Sequence, residues 1–536
     1  MGRVNFLLVL FLAWLSAFLS RGKPNGVESN SFTVLVDGEL RKVSPYYLSV
    51  ALSSQIVKNG LIIDLARSKK FVTLAKALSP AILRVGGSSA NFLTYEPSSK
   101  SGGGRPSNLD LKEGGDADYE GHANEWDEND FTNFTMTAED FKYLKEFAKD
   151  SSLTILFDVN QFYRTPEDTW DSINALDIFN DADESFKWQL GNEPNSYYYN
   201  YKYNYTGTMD AADYLSFKTE LERYFEEPEI VGPDVTNPRF RNSLYEDGDG
   251  EDYMDKEKVN GLQMKFLDEF LANLKMKLTA VSWHHYYLPG ANVTVEDYTS
   301  VETLNMLTWQ IPQAVELRDK YCPDTPLWLT ETSSSVGGGA KNFSDTYIAG
   351  FLWLDKLGLA AVQKIDLLAR QTLYQKRYAL INDIRKDFKP NPDYWLSVLY
   401  KRLVGVEVLK VITDGSPDTT RLYGHCQKPG STSYKPGNVV IFGVNVDPSK
   451  SSKISFKGMT SEHKIHQYLL EPPNQFIQST DVMLNGKLLE MTPDDQLPDL
   501  EPQLLSGQEI EFPPLSFGFW VVVDAHTQDC ETPHAL

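Results

Sequence analysis

Between residues 47 and 371 the chain alternates between two textures, and that alternation limits the folds open to it. Eight short apolar runs rich in β-branched and aromatic residues recur: YLSVAL (47–52), AILRVGG (81–87), LTILFDVN (153–160), FKWQLG (186–191), EIVGPDV (229–235), AVSWHHYY (280–287), PLWLTE (326–331) and KIDLLARQ (364–371). Stretches with apolar residues at three- and four-residue spacing lie between them, such as 138–150, 211–225 and 261–278. Eight strands alternating with helices predict an α/β fold, a (β/α)8 TIM barrel, with functional groups at the C-terminal ends of its strands.

The texture changes after residue 404. Short strand-like runs there (EVLKVIT, NVVIFGVNV, KISFKG, HQYLLE, SFGFWVVVDA) are separated by Gly, Pro, Asp and Ser, which predicts a C-terminal β-sandwich. The run 32–40 is also strand-like and is expected to join it. Of the three cysteines, Cys426 and Cys530 lie near the two ends of this module and are the expected disulfide; Cys322 is expected to be unpaired.

The first residues carry one Arg before an apolar run that ends in small residues, a secretory signal peptide pattern over 1–20. The run is short for a membrane span, and no later stretch reads as one. Sequons at Asn133, Asn204, Asn292 and Asn342 are expected glycosylation sites and fit a secreted or lysosomal protein. The expected organisation is a catalytic barrel over 43–403 and a sandwich over 404–536, with an acidic insert at 96–130. That insert reads equally as a solvated loop or as a protease-sensitive linker.

A net charge of −23 argues against a nucleic-acid partner, because phosphate binding needs clustered Lys and Arg. No metal-ligand spacing is present; DGDGED lacks the glycine and terminal glutamate of a calcium loop at the right offsets. No cofactor is expected.

Glu193 follows the fourth run and Glu331 closes the seventh. Two carboxylates at the strand ends of one barrel are what glycoside cleavage requires: one protonates the departing oxygen, the other attacks the anomeric carbon or activates water. A lone Glu at a strand end is commonly a cap or a surface ion pair; two at strands four and seven are harder to attribute to chance.

Together, GNEPNS (191–196), GPDV (232–235), SWHHYYL (282–288), WLTETSS (328–334), GFLWLDKLGL (350–359), RQTLY (370–374) and PDYWLS (392–397) resemble the heparanases, endo-β-glucuronidases of glycoside hydrolase family 79, from about Val43 to Cys530. The resemblance implies a retaining mechanism with Glu193 as acid/base and Glu331 as nucleophile. It implies that Asn192 reaches the 2-hydroxyl of the uronic acid, that the Gly337 and Gly338 amides and Tyr378 hold its carboxylate, and that Gln371, His285, Tyr287 and Arg239 line the cleft. Read without the family, His285 is a core histidine and Tyr287 a buried aromatic. The Cys426–Cys530 pair also matches.

Departures are Ser53 in place of an aspartate, Thr330 in place of the glycine before the nucleophile, Ala291 in place of an arginine, and a loop before Tyr378 that is one residue shorter. The tyrosines of 197–207 read either as sugar-stacking groups or as loop packing. The expected activity is hydrolysis of a glycosaminoglycan, heparan sulfate first, with an acidic pH optimum and with association with cell-surface proteoglycan. The alternatives are a hyaluronan-cleaving endo-β-glucuronidase, an exo-acting β-glucuronidase and a non-catalytic glycosaminoglycan-binding paralogue.

Overall fold

A computed structural model describes residues 29–97, 132–236, 262–430, 434–457, 464–505 and 509–531. The signal-peptide segment, most of the acidic insert, Arg239 and the acidic run 245–257 lie outside the described residues.

All eight apolar runs form strands, and the strands close into one parallel ring. In order they are Leu48–Ser53, Ala81–Gly86, Leu153–Val159, Lys187–Leu190, Glu229–Val235, Ala280–Leu288, Leu327–Ser335 and Leu367–Arg370. They are called here the first to eighth barrel strands. Helices cover the ring, and their positions follow the predicted periodicity. Ala138–Asp150 buries Phe141, Leu144, Phe147 and Ala148, and its first turn is fixed by a reciprocal cap between Thr137 and Asp140.

One register irregularity matters for the site. Against the sixth strand, Leu329 pairs Trp283 and Glu331 pairs His284, so the seventh strand carries one extra residue at Thr330. Such a bulge lets two successive side chains point to the same side.

Among the described residues eleven further strands form a second sheet, and its first strand comes from the far end of the chain. Ser29–Lys42 lies between Val404–Asp414, antiparallel, and Ser451–Phe456, parallel. The sheet folds over itself. The strand Glu509–Phe512 ends the hydrogen-bonded path, yet Phe512 packs edge-on against Trp520 of the central strand Ser516–Val523 with centroids 4.7 Å apart. Val34, Ile441, Ile454 and Ile510 fill the space between the two layers. Cys426 and Cys530 form the disulfide, and Cys322 is free.

The helix Ala349–Val362 lies between barrel and sheet and is buried along almost its whole length. Two glycines make that fit. A Cβ on Gly350 would lie 2.3 Å from the Phe517 ring, and one on Gly358 would lie 2.1 Å from Tyr423. Among the described residues no helix is long and apolar enough to cross a membrane.

Candidate active site

Five barrel strands each carry a polar residue into the barrel at its C-terminal end: Arg84, Asp158, Gln189, Asp234 and His284, all essentially without solvent exposure. Charges this deep must be paired. Arg84 does most of the pairing. Its Nε donates to Gln189 Oε1 (2.9 Å) and its Nη1 to Glu331 Oε2 (2.9 Å). Its Nη2 reaches Asn192 Oδ1 (2.8 Å), Asp234 Oδ2 (2.8 Å) and Asp158 Oδ2 (3.2 Å). Burial alone would raise Asp234, but Arg84 and His284 hold it well below the usual carboxylate range. For Asp158 burial wins, and its carboxyl is pushed up.

Glu331 stands over this network. The bulge brings Thr330 and Glu331 to the same side: Thr330 Oγ1 donates to Asp234 Oδ1 (2.6 Å), while Glu331 takes Arg84 on Oε2 and the Tyr286 hydroxyl on Oε1 (2.5 Å). Burial and the Glu331 charge hold the Tyr286 hydroxyl well above its ordinary pKa, so it stays a donor.

Glu193 enters from the turn after the fourth strand, in a left-handed backbone conformation (φ 52°, ψ 53°) anchored by its N–H on Asp234 O (3.2 Å). Its Oε1 lies 3.0 Å from His284 Nδ1. His284 Nε2 lies 3.3 Å from Asp234 Oδ2, an ion-pair contact. Burial would lower the His284 pKa; Asp234, Glu331 and the bond to Glu193 outweigh it and push it up to about 10. The Glu193 and Glu331 side chains keep 16% and 11% of their surface exposed, so both are reachable from the cleft while largely dry. A carboxylate oxygen from each and a His284 nitrogen all lie within 4.8 Å of one another. Those three groups do not suit a cation: a protonated imidazole has no lone pair to give, and Arg84 already occupies Glu331 Oε2.

Asn192 is buried with its Oδ1 on Arg84, which leaves its amide NH2 as the group it can offer a ligand. Gly337 and Gly338 leave the seventh strand with φ of 64° and 84°. The next residue, Gly339, packs on the backbone of Tyr378, whose ring stacks on Tyr286 at 6.2 Å. The two glycines, Tyr378 and Glu331 therefore share one side of the site. Gln371 directly follows the eighth strand, its Oε1 buried without a hydrogen-bond partner among the described residues. Asn133, Asn204, Asn292 and Asn342 are all exposed.

His285 and Tyr287 do not join the site. Strand alternation turns them outward with Trp283, where the His285 and Tyr287 rings meet edge-on at 4.6 Å. Lys356 of the interface helix sits 4.4 Å over the Tyr287 ring. Their neighbours His284 and Tyr286 take the inward places. In the tyrosine-rich loop, Tyr197 and Tyr205 are buried in a cluster with Phe162, and Tyr198 is exposed.

The chain is 32% identical to heparanase of Bos taurus over 520 residues, covering 92% of this chain and 91% of that one. The chain belongs to the heparanase family. Inactive heparanase-2 of Homo sapiens is 31% identical over 92% of this chain and 88% of its own. Hyaluronoglucuronidase of Hirudo nipponia is 31% identical over 92% and 97%. No protein-family model matches. Among solved structures, a 4-O-α-L-rhamnosyl-β-D-glucuronidase from Fusarium oxysporum shares the fold, with a TM-score of 0.61 and 14% identity over 92% of this chain and all of that one. In this heparanase-family chain, Arg84, Asp158, Gln189, Asp234, His284 and Tyr286 belong to the site without being among the residues expected from the sequence. The available signal was a polar residue inside each of five otherwise apolar runs.

Proposed function

We propose that this chain is a retaining endo-β-glucuronidase that cuts glycosaminoglycan chains. The observation that carries this reading is the facing of Glu193 and Glu331 within 4.8 Å, close to the separation of about 5–5.5 Å that retaining enzymes use. A non-catalytic relative would not need both carboxylates held so specifically.

In this mechanism Glu331 attacks the anomeric carbon while Glu193 gives its proton to the glycosidic oxygen. The bond to the departing chain breaks, leaving a glycosyl ester on Glu331. Glu193, now ionised, takes a proton from water, the water oxygen attacks the anomeric carbon, and Glu331 leaves as carboxylate. Tyr286 and Arg84 keep Glu331 oriented between turnovers. His284 occupies Oε1 of Glu193, which leaves Oε2 to carry the proton. The Asn192 amide fits the 2-hydroxyl, Gln371 Oε1 fits a second hydroxyl, and the Gly337–Gly338 amides with Tyr378 fit the uronate. The acidic optimum expected from the sequence belongs to this reading, as do the glycosylation of the four exposed asparagines and secretion.

Heparan sulfate is the leading substrate, from the resemblance to heparanases. Hyaluronan is a second reading, favoured by the net charge of −23 and by the similarity to a hyaluronoglucuronidase. The test is size-exclusion chromatography of each polymer after incubation near pH 5, with Glu331→Gln as control. Wild type shifts one polymer to intermediate sizes, and Glu331→Gln, still folded, shifts neither. Normal turnover by Glu331→Gln would overturn the assignment, and release of single uronic acids from otherwise intact chains would make the enzyme exo-acting.

A further inference from the structure

One cavity, far from the paired carboxylates, has no part in this chemistry. Leu48 opens the first barrel strand and Pro80 directly precedes the second, so the cavity lies at the N-terminal end of the barrel, opposite Glu193 and Glu331. The Cys426–Cys530 disulfide forms part of its sheet-side wall. The cavity opens to solvent at its mouth, and Val43, Pro45, Leu48, Tyr400, Val404 and Pro429 give it a largely apolar lining.

Two amines break that lining. Lys401 is only 7% exposed, and its Nζ donates to Pro80 O at 2.5 Å. Lys428 is half-buried, and its Nζ donates to Lys401 O at 3.0 Å. An ammonium has three N–H donors, so each lysine keeps two more. Neither forms an ion pair among the described residues. The lining carboxylate, Glu407, engages Lys42 at 3.9 Å. The chain has 74 acidic residues against 51 basic ones, so carboxylates are in surplus, yet neither of these two amines is paired with one among the described residues. Buried lysines are ordinarily paired. Burial lowers both lysines, and for Lys401 the charge of Lys428 adds to the effect. A bound anion would supply the missing counter-charge.

We propose that this cavity binds a small amphipathic carboxylate, with its head between Lys401 and Lys428 and its hydrocarbon tail along Val43, Leu48 and Val404. The site is independent of the glycosidase reading and links the base of the barrel to the sheet.

The test is isothermal titration of the full-length protein with octanoate, 1-octanol and octylammonium, which share a tail and differ in the head. Octanoate is expected to bind at least about tenfold more tightly than 1-octanol, since a hydrogen bond to a charged group is being added. Octylammonium is expected not to bind. Lys428→Gln, at a half-buried position where the fold should survive, is expected to erase the preference for octanoate over 1-octanol while leaving polymer cleavage unchanged. Equal binding of octanoate and 1-octanol, binding of octylammonium, no binding of octanoate, or an octanoate preference that survives Lys428→Gln would each overturn the proposal.

Discussion

Two adjacent tyrosines should respond to the same substitution in opposite ways. Tyr286 donates to Glu331 Oε1 at 2.5 Å, one of two donors that hold this carboxylate. Tyr286→Phe removes one hydroxyl and leaves the ring. A hydrogen bond to a charged group contributes roughly 1.5–3 kcal/mol, and each 1.36 kcal/mol of transition-state stabilisation lost is about tenfold in rate. The loss in kcat/KM should therefore be roughly 10- to 150-fold. Tyr287→Phe removes a hydroxyl that is buried without a hydrogen-bond partner among the described residues, behind the strand and away from the cleft. Deleting an unsatisfied buried polar group is neutral or stabilising, so activity should stay within about twofold and Tm should hold or rise. The assay is kcat/KM on a glucuronide substrate at several pH values, with thermal unfolding of each variant in parallel. A large activity loss for Tyr287→Phe with little for Tyr286→Phe would refute the side-chain alternation on which the site is built.

Arg84→Met leaves Asp158, Asp234 and Glu331 without their shared cation and should cost roughly 3–5 kcal/mol in urea unfolding at neutral pH. That deficit should shrink as pH falls and the carboxylates take up protons; a deficit independent of pH would contradict it. His284 has a folded-state pKa of about 10, above its ordinary value near 6.5, so its contribution to stability is complete below pH 6.5 and fades as pH rises toward 10. It should account for roughly 2.5 kcal/mol of lost unfolding free energy between pH 7 and pH 9. His284→Gln should flatten that slope, and an unchanged slope would show that another group carries it.

The eight barrel strands were legible because each run is short, apolar and bounded, and the helices because their apolar spacing is strict. Glu193 and Glu331 were legible because they stand where barrel strands end. The sixth strand was not, since SWHHYY offers one His and one Tyr to either face. What decides its facing is a contact with the neighbouring fifth strand: the backbone N–H of Asp234 donates to Ser282 Oγ at 3.0 Å, which goes with Ser282, His284 and Tyr286 facing inward together. The extra residue at Thr330 was hidden for a similar reason, because a bulge is defined by its partner strand. In the sheet, Thr420–Gln427 was passed over because its Arg, Gly and His dilute the apolar pattern; Gly424 and His425 are nonetheless buried there against neighbouring strands.

The position of Ser29–Lys42 inside the sheet bears on how the protein is made. This strand precedes the whole barrel in the chain, yet one partner, Val404–Asp414, follows the whole barrel, and the other, Ser451–Phe456, comes later still. At about 5–20 residues per second, a ribosome finishes those partners only tens of seconds after the strand itself. Throughout that interval two unsatisfied strand edges are open to any other extended segment. The barrel can close while it waits, but the sheet cannot, so the step most open to mispairing during synthesis is the return of this first strand to its place between partners made last.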